Sequence, residues 1–227
     1  MFLLATTVLL IKDLDQPKRF LFVLLRPHFS SWLVKGGYAL SLFGAFVSAM
    51  IVSLWLEWTL VYQVALWLAF GTATIVAIYT AFLFAQAKGR DFWQSPTLSI
   101  HMIIHSIVAG AASLSIIAQF YSPPSWLQNF LLIVLFGGVL ANMITMLFEL
   151  TITHPTTASS TVAHEITKGK YRLAFWLGVI AMGNVLPIGL LLTGTGIGLP
   201  VAGFLILAGL FITEKIWVEA PQRISLK

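Results

Sequence analysis

Long apolar runs separated by short polar connections dominate the chain. Crossing a bilayer as a helix takes about 20 mostly apolar residues. Six runs qualify: 32–56, 60–84, 98–120, 126–148, 173–192 and 199–216. A seventh, 1–11, is too short to span alone and reads as the end of a helix. The predicted fold class is all-α, a polytopic transmembrane helical bundle of about seven spans with the first truncated. The longest connection, about 149–172, is too short to fold by itself, so 1–227 is expected to be a single membrane domain.

Charge sets the orientation. All 13 Lys and Arg residues lie in or at the edges of 13–31, 85–97, 149–172 and the tail, and the alternate connections near 57–59, 121–125 and 193–198 hold none. Basic loops stay cytoplasmic, which places the C-terminus inside. A wrong span count would scramble that alternation. Tryptophans mark both rims: Trp32, Trp93, Trp176 and Trp217 at the basic ends, Trp55, Trp58 and Trp126 at the opposite ends. This is the expected aromatic belt. Trp67 falls inside a span and has no such reading.

Composition removes several classes of protein. Hydrophobic residues make up 59% and charged residues 9%, against about 25% charged in soluble domains. A water-soluble fold, a disordered chain and a coiled coil are excluded. The pI of about 9.6 reflects the topology of the loops and not a nucleic-acid surface. With no cysteine, Cys-ligated clusters, Cys-ligated zinc and disulfides are excluded within the chain.

The titratable groups are lopsided. Of eight acids only Glu57 lies on the base-free side, and all five histidines belong to the basic side or the helix ends beside it. A partner needing charge or protons is expected to meet that face. His101 and His105 share one helix face, about one and two turns into their span. An ionisable group inside a span is a functional candidate by default, and histidine passes protons near neutral pH. Placement makes His101, His105 and Glu149 a candidate proton route. Two histidines on one side of one helix do not offer opposite axial positions to a haem. The spacing also lacks the glutamate and third ligand of a zinc site. Neither haem nor metal is expected in this chain, and no catalytic residue is assigned. The glycines at 71, 138, 183, 194, 196, 198 and 203 predict close helix approaches. Pro187 predicts a kink.

Five short stretches match a known family, in its order. They are Asp13-Leu14-Asp15-Gln16-Pro17-Lys18-Arg19-Phe20; Leu25-Arg26-Pro27 through Ser30-Ser31-Trp32; Tyr79 followed by Phe92-Trp93 and Ser95-Pro96; Gly169-Lys170-Tyr171-Arg172 leading to Phe175-Trp176, Gly178-Val179, Gly183 and Pro187; and Ala220-Pro221-Gln222. The chain resembles the polysulfide-reductase membrane-subunit family (NrfD-like), integral membrane subunits of respiratory oxidoreductases. On that comparison the sequence starts within the family's second helix.

The resemblance implies a quinone or quinol site (menaquinone or ubiquinone) in a helical bundle of a prokaryotic cytoplasmic (inner) membrane. It implies a docked ferredoxin-like iron–sulfur subunit and a catalytic molybdopterin or multihaem cytochrome subunit. The outer substrate's chemistry would then belong to the complex. Matched motif by motif, Asp13, Arg19, His28 and Tyr79 are the expected quinone-headgroup residues. Two other readings stand beside this one. One is an ion-translocating or transporter bundle, against which count the lack of an inverted repeat and of paired broken helices. The other is a structural assembly subunit without a working quinone site.

Overall fold

The computed structural model describes residues 2–12, 25–121, 123–152, 156–193 and 197–224. Among these there is no strand, and the chain is an all-α polytopic bundle. Helix α1 covers Phe2–Lys12, α2 Trp32–Trp55 and α3 Thr59–Ala85. A short 3₁₀ turn, Asp91–Gln94, precedes α4, Thr97–Ile117. Helix α5 is Ser125–Thr151 and α6 is Thr157–Thr167. A π-helical stretch, Ala174–Val185, runs into α7, Leu186–Thr193, and α8 is Gly198–Gln222. Among the described residues six helices are long and apolar enough to cross a membrane. They coincide with the six full-length runs read from hydropathy to within a few residues, apart from the last. That one continues through the charged residues Glu214, Lys215 and Glu219 to Gln222.

The helices group into two compact units, Met1–Leu83 and Phe84–Lys227. In the first, the rings of Trp32 and Phe82 stack at 4.4 Å between centroids, and Lys35 Nζ sits 4.2 Å from the Trp32 ring. Tyr79 is buried, and its ring lies where a Cβ on Gly36 would be. The missing side chain is what lets α2 and α3 close together there. The reversal between them passes through Glu57, whose φ of 56° is left-handed.

The second unit has two layers. Toward the base-free end lies an apolar core of Val108, Ala112, Leu131, Leu135, Val139 and Ile206, with their neighbours. Toward the basic end the same helices carry His101, His105, Asn142, Glu149 and Thr213, all buried. The connections at that end converge. Arg90 Nη1 donates to the carbonyls of Pro221 (2.6 Å) and Ile224 (2.7 Å). Trp93 Nε1 donates to Trp217 O (2.8 Å), and Tyr171 donates from its hydroxyl to Glu219 (3.2 Å). Burial pushes the Tyr171 phenol up, against the pull of the nearby Arg223 guanidinium.

Segment 149–172, expected only as a connection, contains α6. Thr156 caps it by accepting from Ser159 N (3.3 Å), as Ser and Thr do at helix starts. Its buried face carries Ser159, Val162, Ala163 and Ile166.

The glycine expectation holds at some positions. A Cβ on Gly183 would meet the Gly209 backbone and the reverse, so the π-helical stretch and α8 cross with backbones touching. Gly138 faces Val108, and Gly203 faces Ala112 and Ser115. Nothing lies near Gly71. At Pro187 the winding changes from π to α, one residue into α7.

The tryptophan belt is real only in part. Trp55, Trp58 and Trp126 are exposed at the base-free ends of their helices. Trp93 and Trp217 are instead almost fully buried, because each indole N–H has a specific acceptor inside the unit.

Candidate functional site

Helices α4, α5 and α8 and the π-helical stretch each send a polar side chain into one layer of the second unit. On α4, His101 and His105 are four residues apart and present their rings to each other, 4.0 Å between centroids at 72°. On α5, Asn142 and Glu149 are two turns apart, hence on one face. On α8, Glu214 and Trp217 are three apart, again on one face. At 1.5 Å per residue, His105, Asn142 and Glu214 lie about 12–14 Å in from the basic ends of their helices, short of mid-membrane.

Glu149 is the hub of the outer part. Its Oε2 accepts from Trp217 Nε1 (3.0 Å) and lies 2.9 Å from His101 Nδ1, while Oε1 accepts from the Thr97 hydroxyl (3.1 Å). Because Thr97 spends its one hydrogen on Glu149, Ser95 must be the donor in the 2.6 Å contact between the two hydroxyls. His101 is 1% exposed, and its Nε2 is the one buried side-chain nitrogen or oxygen without a hydrogen-bond partner among the described residues. Leaving such an atom unpaired costs about 1–3 kcal/mol.

The inner part centres on His105. Its Nδ1 is 2.5 Å from Glu214 Oε1, and its Nε2 is 3.0 Å from Asn142 Oδ1. Asn142 donates from Nδ2 to Asn184 Oδ1 (3.1 Å), and Asn184 donates from Nδ2 to the Val179 carbonyl (2.7 Å). Glu214 is partly exposed at the edge of the unit.

Above Glu149 a cleft of about 600 Å³ opens at the basic end. Phe92, Pro96, Phe148 and Ile152 form apolar walls, and Asp91, Gln94, Ser95, Thr97, Glu149, Thr156 and Ser159 supply polar groups. Apolar walls with a few convergent polar groups are the usual make-up of a small-molecule site. Among the described residues no three His, Asp or Glu side chains gather closely enough to hold a metal ion.

The structure brings His101, His105 and Glu149 together: His101 is hydrogen-bonded to Glu149, and the His105 ring lies against the His101 ring. His28 and Tyr79 belong to the first unit. His28 is exposed at the entry to α2, and Tyr79 is buried against Gly36. No hydrogen bond or ring contact joins the two. Asp13 and Arg19 lie outside the described residues. Sequence reasoning missed Glu214, Asn142, Asn184 and Trp217 as members of the cluster. The signal was present: polar side chains at helical spacing inside apolar spans.

No curated protein and no solved structure matches the chain. The family described as "Polysulphide reductase, NrfD" matches residues 1–214. Six apolar spans, a polar layer at one end and this match across nearly the whole sequence agree. The chain is a multi-pass membrane protein that belongs to the polysulphide reductase NrfD family, and that membership points to a membrane subunit of a respiratory oxidoreductase complex.

Proposed function

We propose that the chain is the membrane-anchoring, quinone- or quinol-reactive subunit of its complex, exchanging electrons with a ferredoxin-like iron–sulfur partner and handling the protons that accompany them. A molybdopterin or multihaem cytochrome subunit would carry the outer chemistry. The proposed setting is a prokaryotic inner membrane with the basic rim and C-terminus on the cytoplasmic side, as the loop charges require.

One observation carries the reading: a buried carboxylate, Glu149, lines a largely apolar cleft and pairs with the buried His101. Flat, largely apolar rings with two carbonyl oxygens suit such walls. The unpartnered His101 Nε2 is a polar atom of the kind a proton-handling site needs. When bound, a quinone supplies two-electron, two-proton carrier chemistry.

The chain's own residues do the rest. Phe92, Phe148 and Ile152 supply apolar walls for the ring. Ser95 and Thr97 form a hydroxyl chain from the cleft to Glu149. Glu149 orients His101 through Nδ1, and His105 lies beside it. Separately, on the family resemblance alone, Asp13, Arg19, His28 and Tyr79 are proposed as quinone-headgroup residues, with Tyr79 offering its phenol as donor and His28 or Asp13 exchanging the proton; none of them is among the described residues that line this cleft.

The test combines His101→Gln with His105→Gln in the purified complex. Quinone-linked turnover should fall and its pH dependence should change. Unaltered turnover with an unaltered pH profile would overturn the reading. Binding of a quinone analogue to the complex, and an iron–sulfur protein among the chains that co-purify, separate this function from a transporter or a structural subunit.

A further inference from the structure

The amide chain behind His105 has a direction. A carbonyl oxygen only accepts, so Val179 O forces Asn184 to present Nδ2 to it. That turns Asn184 Oδ1 toward Asn142, which must answer with Nδ2. Asn142 Oδ1 is then left facing His105 Nε2 at 3.0 Å, and an acceptor there requires a hydrogen on Nε2. The polarity set by one backbone carbonyl is passed through two side-chain amides to one ring nitrogen.

We infer that Asn142 and Asn184 are positioning residues that hold the hydrogen on His105 Nε2, so that this histidine gains and loses its proton only at Nδ1, toward Glu214. In the exchange the Glu214 O–H bond breaks as the His105 Nδ1–H bond forms. A neutral acid and a neutral imidazole become carboxylate and imidazolium with no net change in charge. Amides do not accept and release protons in this way, so the chain toward Val179 is a dead end for protons. Traffic is confined to the side of the ring that faces the partly exposed Glu214.

The surroundings contain few competing charges. Within this unit α5 carries only Glu149 as an ionisable group, and the stretch from Ala174 to Thr193 carries none. Helix α8 adds Lys215 and Glu219, which lie 3.8 Å apart at its outer end. His101 is the neighbour on α4 itself. Asn142 and Asn184 are 4% and 2% exposed, so water does not compete for their amides.

Assigning this tautomer to proton handling rests on the function proposed above, but its measurement needs no quinone. Histidine labelled with ¹⁵N in the detergent-solubilised protein reads both ring nitrogens by two-bond proton–nitrogen correlation, with His105→Gln to assign the signals. The expected wild-type result is an Nε2 that stays protonated across the titration while Nδ1 alone changes. In Asn142→Leu the Nε2 resonance should move toward the unprotonated range as both neutral tautomers appear, and Asn184→Leu should do the same by freeing the Asn142 amide to turn.

A wild-type His105 that titrates at Nε2, or an Asn142→Leu spectrum identical to wild type, overturns the inference. If Asn142→Leu does not fold, the wild-type titration and Asn184→Leu still decide it. The wild-type tautomer together with absent quinone-analogue binding would sink the proposed function and leave this assignment standing.

Discussion

Glu149 Oε2 and His101 Nδ1 lie 2.9 Å apart, with the two side chains 3% and 1% exposed. A carboxylate and an imidazole so placed hold each other's orientation, and neither is readily replaced by water. Breaking such a buried pair by removing one partner is costly because the other stays desolvated. The pair is therefore where structure and chemistry are most tightly joined.

Glu149→Gln keeps the shape and one of the two acceptor oxygens that Trp217 and Thr97 use, while removing the titratable group. Quinone-linked turnover of the complex should drop by about 10²-fold or more, the usual worth of a positioned proton-transfer group. The amount of assembled complex should change little. Steady-state assays beside a quantified complex band check both halves. Unchanged turnover would remove Glu149 from the route.

Trp217→Phe separates the hydrogen bond from the ring. The indole N–H donates to Glu149 at 3.0 Å, and the ring meets His101 edge-on at 5.5 Å. Losing the donor while keeping most of the apolar contact should cost about 0.5–1.5 kcal/mol. A modest drop in thermal midpoint in detergent is expected, with a larger loss for Trp217→Ala.

Gly183→Val should be among the most damaging substitutions in the second unit. Gly183 and Gly209 approach closely enough that a side chain on either meets the other's backbone. Backbone cannot rotate aside as a flexible side chain can, so the two helices must part. Overpacking of this kind costs about 1–3 kcal/mol. Gly71→Val, with nothing within 4 Å, is the control and should leave the thermal midpoint unchanged.

The chain has no cysteine, so a single introduced thiol reports topology without background. Thr161→Cys on α6 and Gln119→Cys at the base-free end both replace exposed residues. A membrane-impermeant maleimide applied to sealed vesicles should label the two from opposite sides, with position 161 reached from the cytoplasmic side. Labelling of both from one side would overturn the span count.

The six spans, the limits of all but the last, and the gathering of titratable groups at one end were legible in the sequence. Bilayer thickness sets a length threshold that hydropathy alone can test, and the placement of bases follows from insertion. His101 and His105 were recognisable because charge-bearing side chains are rare inside spans. Trp217 was misread as an interfacial anchor, since position near a helix end does not reveal whether a ring turns outward to lipid or inward to an acceptor.

What the sequence by itself determined was periodic and local: which segments cross, which rim is basic, and which residues share a helix face. What only the tertiary structure decided was the pairing across helices: Glu149 with His101, Glu214 with His105, and the run from Val179 through Asn184 and Asn142 to one ring nitrogen. Those partners come from four segments between 37 and 109 residues apart in sequence for the bonds to His105 and Glu149's partner alike. Their meeting depends on how far each helix is rotated and shifted when small residues such as Gly183 and Gly209 let backbones touch, and no pattern within a single helix encodes that rotation.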